Sequence, residues 1–277
     1  MFDWIDILAG GLGRAYAHAA VDSEPVTLYF PASPVPYIFD RAAQFPSQVT
    51  WFIEPGARLI ATAPTVIAGF VDAGQYWVFE GAQWRLRGPS VSTVFARWWG
   101  MGEDGRAATV ALTECIASLD LGQEGRELVL PGGVHDVSRV QLIPGVTYVG
   151  GSDVTLRATV ADAPVRLDMW PGTATVWRRI NIDGNSLSDC MLISGNGGSI
   201  TVEGCRFDNA SSTGLSIDGA VDAVVTRGAF ASCRSAGLRT SGAVHLQASD
   251  LITYAAPLLL GAQGEGAREG AIQLASI

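Results

Sequence analysis

Val202-Glu203-Gly204-Cys205-Arg206-Phe207 returns 23 residues later as Val225-Thr226-Arg227-Gly228-Ala229-Phe230. A related segment, Trp177-Arg178-Arg179-Ile180-Asn181-Ile182, precedes the first copy by 25 residues, and Leu246-Gln247-Ala248-Ser249-Asp250-Leu251 follows the second by 21. A second motif keeps the same beat. Leu215-Ser216-Ile217-Asp218-Gly219 recurs as Leu238-Arg239-Thr240-Ser241-Gly242, and Met191-Leu192-Ile193-Ser194-Gly195 comes one turn earlier. Two different motifs sharing one period mark a solenoid in which each coil is one such unit. The units are short, punctuated by Gly and rich in Val, Ile and Thr, which favours strands over helical repeats. No leucine-rich-repeat pattern occurs, and the uneven period disfavours a calcium-binding nonapeptide roll.

The spacing therefore predicts an all-β fold: a right-handed, single-stranded parallel β-helix from about Glu127 to Ile277. Five or six coils, at ~4.8 Å between neighbouring strands, would stack to roughly 25–30 Å. Ile180, Ile182, Cys205, Phe207, Phe230 and Leu251 are expected to stack inside, with Ile193, Ile217 and Thr240 on another wall. Between them two outward ladders are expected, Asn181–Arg206–Ala229–Asp250 and Ser194–Asp218–Ser241.

Composition suits this reading. Apolar residues are 48% of the 277 residues, so a large core can form, while charged residues are only 16% and Gly numbers 33. The 18 basic residues are all Arg, so each cation is a planar fork suited to carboxylates and sugars. A formal charge of −9 disfavours nucleic acid or an anionic membrane as partner. The four cysteines (Cys115, Cys190, Cys205, Cys233) form no paired motif and read as buried thiols. No apolar stretch approaches the ~20 residues of a membrane span. Asp3 and Asp6, with no early basic residue, oppose a secretory signal, so synthesis in the cytoplasm without export by that route is expected.

Three sections precede or accompany the repeats. Residues 1–22 carry Phe2, Ile5, Leu8, Leu12, Tyr16 and Ala19 at near-helical spacing, broken at Gly10-Gly11, and predict two short helices that dock on a partner. Residues 23–103 are β-rich, aromatic and punctuated by proline, with strands expected at 66–70 and 76–79. In the last section, 104–277, residues 104–119 predict a helix capped by Asp104 or Gly105, with Leu112, Cys115, Ile116 and Leu119 on one face. Such a helix, isolated among strands, would serve as a lid on a solenoid.

Several segments in order resemble the pectate-lyase-like family common in phage tailspikes and tail fibres. They are Arg97-Trp98-Trp99-Gly100-Met101-Gly102-Glu103-Asp104-Gly105, the Ala-rich helix after it, Glu127-Leu128-Val129-Leu130-Pro131-Gly132-Gly133, and Val146-Thr147-Tyr148-Val149-Gly150-Gly151. Phe52-Ile53-Glu54-Pro55-Gly56 resembles the incomplete coils that precede the tryptophan motif in phage members. The resemblance covers roughly residues 50–277. It departs where family members carry paired Asp at the helix start and this chain has Ala107, Ala108 and Thr109. It implies the fold strongly and the chemistry weakly, since such proteins include lyases, hydrolases, epimerases and inert fibres.

Glycoside hydrolysis requires two carboxylates about 5–10 Å apart, a distance that outward residues on adjacent coils can provide. Asp183, Asp208, Asp218 and Asp222, with Glu203, are the candidates, the first three foremost, although Asp183-Gly184 and Asp218-Gly219 also read as turns. The polygalacturonase signatures of the family are absent, no Ser-His-Asp arrangement is legible, and nothing implies a metal or cofactor. The balance leans away from an enzyme. A binding surface is better supported: Trp177, Arg179, Asn181, Arg206 and Arg227 fall on consecutive coils and could hold sugars by ring faces and planar hydrogen bonds. Residues 271–277 still read as strand, so the end of the solenoid needs a covering partner. The expectation is a structural spike or fibre protein on the head or tail of a phage or gene-transfer-agent-like particle. It would be a homotrimer, docked to other virion proteins through residues 1–22 and its C-terminal end, and would bind bacterial surface polysaccharide. The alternative is a polysaccharide depolymerase of the tailspike type.

Overall fold

The computed structural model describes residues 3–6, 25–88, 91–119, 125–260 and 272–275. Almost every strand pairing in it is parallel to a strand about one coil away, and the chain falls into two compact units. One comprises residues 1–106 with 110–120; the other comprises 107–109 with 121–277.

The first unit is itself coiled. Val26–Phe30 pairs in parallel with Val49–Ile53, and that strand with Val71–Asp72. Tyr37–Phe39, Leu59–Ala61 and Phe79–Glu80 make a second face; Ala43–Phe45, Thr65–Ile67 and Trp84–Leu86 make a third. The expected strand at 76–79 shrinks to Phe79–Glu80, because Tyr76 and Trp77 lie in the turn that feeds it. Trp51 lies at the centre of the core, 5.0 Å from Phe30, 4.9 Å from Phe45 and 5.6 Å from Phe39 between ring centroids. Trp84, Trp98 and Trp99 are buried as expected, whereas Tyr76 and Trp77 are half-exposed and the Arg58 guanidinium lies on the Trp77 ring.

Two expectations change here. Asp3–Asp6 is a strand paired with Val26–Phe30, not the start of a helix, because an open parallel edge satisfies its backbone better than a short isolated helix can. The remainder of the expected helical segment, 7–22, lies outside the described residues. The helix runs from Ala108 to Ser118, later than expected: Gly105 adopts φ +79° and the Arg106 N–H bonds Glu103, so Asp104-Gly105 turns the chain before the helix begins. Its buried face holds Leu112, Cys115 and Ile116 as predicted. Glu114 accepts the Gly81 N–H and pairs with Arg106, so most of the helix belongs with the earlier coils.

The second unit is a three-sided parallel β-helix. Face A stacks Arg126–Leu130, residues 146–149, 174–178, 199–203 and 222–226, His245–Ser249 and Ile272–Ala275. Face B stacks Gly133–Val137, residues 154–158 and 180–183, Arg206–Asp208, Ala229–Ala231 and Ile252–Tyr254. Face C stacks Val140–Leu142, Val165–Met169, residues 191–196 and 213–220, Ala236–Ser241 and Leu258–Leu260. Every inward residue predicted from the repeats is buried, and the Phe207 and Phe230 rings stack at 5.4 Å and 12°.

The bends have a repeated cause. Asp153, Arg179, Arg227 and Asp250 at the A–B corner, and Asn209 and Ser232 at the B–C corner, all take the left-handed conformation with φ between +50° and +55°. One such residue reverses the pleat and turns the chain onto the next face. The last repeat corrects the expected ladder. Val225 pairs with Ala248, 23 residues on, so Ile252 and not Asp250 continues Asn181–Arg206–Ala229. Asp250 is the corner residue of its coil.

Candidate functional site

The sequence-predicted binding residues do not form one free surface. Trp177 is 1% exposed and points inward, 5.6 Å from the Tyr148 ring, with its indole N–H donated to the Ile180 carbonyl. It cannot stack on a ligand, because it shares a register column with inward Val202. The Asn181 side chain accepts the Arg206 N–H at 3.1 Å and so staples two coils. Arg206 pairs with Asp208, and Arg227 pairs with Glu203, which also accepts Arg178 at 2.7 Å. Partial burial pushes the Glu203 carboxyl up, but the Arg178 hydrogen bond and the Arg178 and Arg227 charges outweigh it and hold the group below its usual range. Arg179 is exposed at the A–B corner. This flank is a network of mutually satisfied charges.

The candidate carboxylates divide between two faces. Asp183 and Asp208 are register partners on adjacent coils of face B, continuing a ladder that begins Asp136–Arg157. Arg157 binds Asp136 through two hydrogen bonds and holds its carboxyl below the ordinary range. Asp183 accepts the Asn185 N–H at 2.8 Å and the Asn209 amide at 3.1 Å. One Asp208 oxygen, Oδ1, is buried without a protein partner. Adjacent strands lie ~4.8 Å apart, so these two groups fall in the range of a hydrolytic pair.

Asp218 is on face C, where the exterior is organised in rows. One row is Arg166–Leu192–Ser216–Arg239. Two residues further along each strand runs Asp168–Ser194–Asp218–Ser241, which contains the outward ladder predicted from the repeats. Here the Ser194 hydroxyl donates to Asp168 and the Ser241 hydroxyl to Asp218, each at 2.6 Å, while the Gln141 amide reaches Asp168 at 3.3 Å. Charge and hydroxyl groups thus alternate along the coil axis and hold one another in place.

Where face C meets the B–C corner, a cleft of about 440 Å³ opens. Its floor is Arg166, Leu192, Ser216 and Arg239, with Asp218 and Ser241 beside them; its wall is Asp162, Ser188, Asp189, Ser211 and Ser212. The backbone sets this wall. Asp189 accepts the Thr213 N–H at 2.7 Å, and the Ser188 carbonyl accepts the Ser211 N–H at 2.9 Å, each tying one coil to the next. The Arg166 hydrogen bond depresses the Asp162 carboxyl. Two buried polar atoms at the cleft have no protein partner: the Ser188 hydroxyl, in a residue 2% exposed, and the Nε of Arg166. Both atoms lie beneath the cleft surface, so the groups a ligand would meet directly are the more open side chains of the lining, such as Arg239 and Ser216. Sequence reading missed the cleft because its wall comes from corner loops with no repeat of their own.

Trp170 was also missed. It follows Val165–Met169 at the C–A corner and is 47% exposed. Among the described residues, no group of three or more His, Cys, Asp or Glu is placed to hold a metal ion. Among the described residues, no helix is long and apolar enough to cross a membrane.

No protein-family model matches the chain, and no curated protein does. A solved structure does: a candidate glycosyl hydrolase from Parabacteroides merdae superposes with a TM-score of 0.53 at 13% identity, covering 66% of this chain and 96% of that one. At that identity the likeness is one of fold, and the fold it supports is the parallel β-helix derived above from the repeats.

Proposed function

We propose that this chain is a polysaccharide-binding β-helix protein and that it holds its glycan on face C, at the cleft of the B–C corner. The observation that carries the reading is the lining of the cleft, where the exposed Arg239 fork, Arg166 and Ser216 face the same space as the Asp162, Asp189 and Asp218 carboxylates. Carboxylates and serines accept from and donate to sugar hydroxyls, and guanidinium forks bind two oxygens in one plane. The likeness to a candidate glycosyl hydrolase is in keeping with a carbohydrate ligand. The family resemblance in the sequence suggests the setting: a spike or fibre subunit, trimeric, on a phage or gene-transfer-agent-like particle, reading a bacterial surface polysaccharide. Affinity electrophoresis of the full chain through gels cast with capsular polysaccharide, O-antigen chains, alginate or dextran tests the binding. At least one gel should retard the protein, and S188A with R239A should restore free migration. Unretarded wild-type protein in every gel refutes the reading.

One observation favours a second reading. Asp183 and Asp208 stand on neighbouring coils of face B, a separation at which retaining glycosidases operate. If the chain is a depolymerase, incubation with the retained polysaccharide releases reducing ends, and D183N and D208N each abolish the release. A constant reducing-end count with wild-type protein eliminates this alternative.

A further inference from the structure

We infer that Trp170 is a sugar-stacking platform, so that a bound glycan crosses face C from the corner cleft toward the C–A corner instead of following the corner along the coil axis. This deepens the proposed glycan-binding reading and rests on it. Of the tryptophans whose side chains are described, Trp51, Trp84, Trp98, Trp99 and Trp177 are buried and Trp77 is half-buried; Trp170 is 47% exposed. Single exposed apolar side chains are ordinary, and Phe70 and Tyr254 are exposed too; what sets Trp170 apart is its place beside the polar rows of face C, where a ring face could pack against a sugar.

The Trp170 backbone is also fixed more firmly than an incidental surface residue needs. Its carbonyl accepts both the Thr173 N–H at 3.2 Å and the Thr173 hydroxyl at 2.6 Å, closing a turn through Pro171 and Gly172. The next coil presses its bare backbone against that turn. A Cβ on Gly198 would lie 2.5 Å from the Trp170 carbonyl oxygen, and one on Gly197 would lie 3.1 Å from Pro171. The row that follows on later coils is Asn196 and Ala220, both short. The turn that carries the indole is thus ordered before a ligand arrives, which lowers the entropy lost on binding.

Position completes the argument. Trp170 lies two residues beyond Asp168 on the same strand path, ~7 Å at ~3.3 Å per residue, and four residues beyond Arg166, ~13 Å. The hydrogen-bonded row Asp168–Ser194–Asp218–Ser241 runs between the cleft floor and Trp170. A glycan lying along the strands would therefore meet guanidinium and hydroxyl groups at one end, carboxylates in the middle and an aromatic face at the other.

The test uses the full chain and whichever of the capsular, O-antigen, alginate or dextran gels retards it. W170A should weaken retardation about tenfold, a loss of about 1.4 kcal/mol, while W170F, which keeps a ring, should retain most of it. In parallel, acrylamide quenching isolates Trp170 as the difference between wild type and W170F. Adding the retained polysaccharide should abolish that difference. If W170A binds as wild type does and Trp170 stays open to acrylamide while R239A still loses binding, the platform is refuted and the cleft stands. If wild-type protein is retarded in no gel, both fall together.

Discussion

Replacing Phe207 with alanine should be among the most damaging single changes in the second unit. Phe207 is fully buried on face B, and its ring stacks on Phe230 of the next coil at 5.4 Å and 12°. Both rings occupy space kept open by glycine: a Cβ on Gly214 would lie 3.1 Å from the Phe207 Cβ, and one on Gly237 would lie 2.6 Å from the Phe230 Cβ. The strands on either side are pinned by parallel ladders, to 180–183 below and Ala229–Ala231 above, so the walls cannot close around a truncated side chain. The cost should therefore fall within the usual range for buried Phe→Ala, about 3–5 kcal/mol. F230A should cost a comparable amount. The stacked pair contributes about 0.5–1.5 kcal/mol beyond area burial, so the double variant should be less destabilised than the sum of the singles by about that much. Equilibrium urea unfolding followed by far-UV circular dichroism measures all three. Losses below about 1.5 kcal/mol for both single variants, or strict additivity, would mean that the rings do not share one packed column.

Other outcomes follow from the same coordinates. All four cysteines are buried; burial pushes the Cys115 and Cys190 thiols well up, Cys205 to about 11, and Cys233 up as well. Ellman's reagent should accordingly find none reactive in native protein and all four in guanidinium. G219A should lower stability by about 1–3 kcal/mol, because Gly219 adopts φ +98° and a Cβ there would lie 2.1 Å from the Gly195 carbonyl oxygen; a melting temperature equal to wild type would contradict this. The Glu203 carboxyl titrates below the ordinary 4.5, so its stabilising effect is complete above that value and lost as pH falls through the depressed one. Wild type should exceed E203Q in stability by less than about 1 kcal/mol near neutrality, and the difference should shrink as pH falls below 4.5 through the depressed value.

The sequence carried the period and, with it, which side chains lie inside. Its one register error was an even one: aligning Leu246 with Val225, where Ala248 stands, slides the last copy by two residues. Side chains alternate with period two, so Leu246 and Leu251 remained inward while the outward ladder gained Asp250 in place of Ile252. Trp177 was misread against available signal, since it aligns with Val202 and Val225 in an apolar column. The Asp183–Asp208 pairing was likewise legible: their spacing of 25 equals that between Trp177 and Val202. The earlier coils were legible only through the resemblance at residues 52–56 and not as a repeat, because their strands are only two to five residues long and filled by aromatic rings, so no aliphatic period announces them. The cleft depends on corner loops that vary from coil to coil, and Trp170 sits in a corner turn between two faces. Neither follows from local pattern.

A glycan bound on face C should shield the backbone beneath it from exchange. Hydrogen–deuterium exchange of the full chain, with and without the polysaccharide that retards it, tests this most directly. Protection should appear in peptides covering 161–170, 188–196, 211–218 and 239–241, recurring about once per coil, with face B strands such as Arg206–Asp208 unchanged. Protection confined to faces A or B, or none at a concentration that saturates binding, would contradict it.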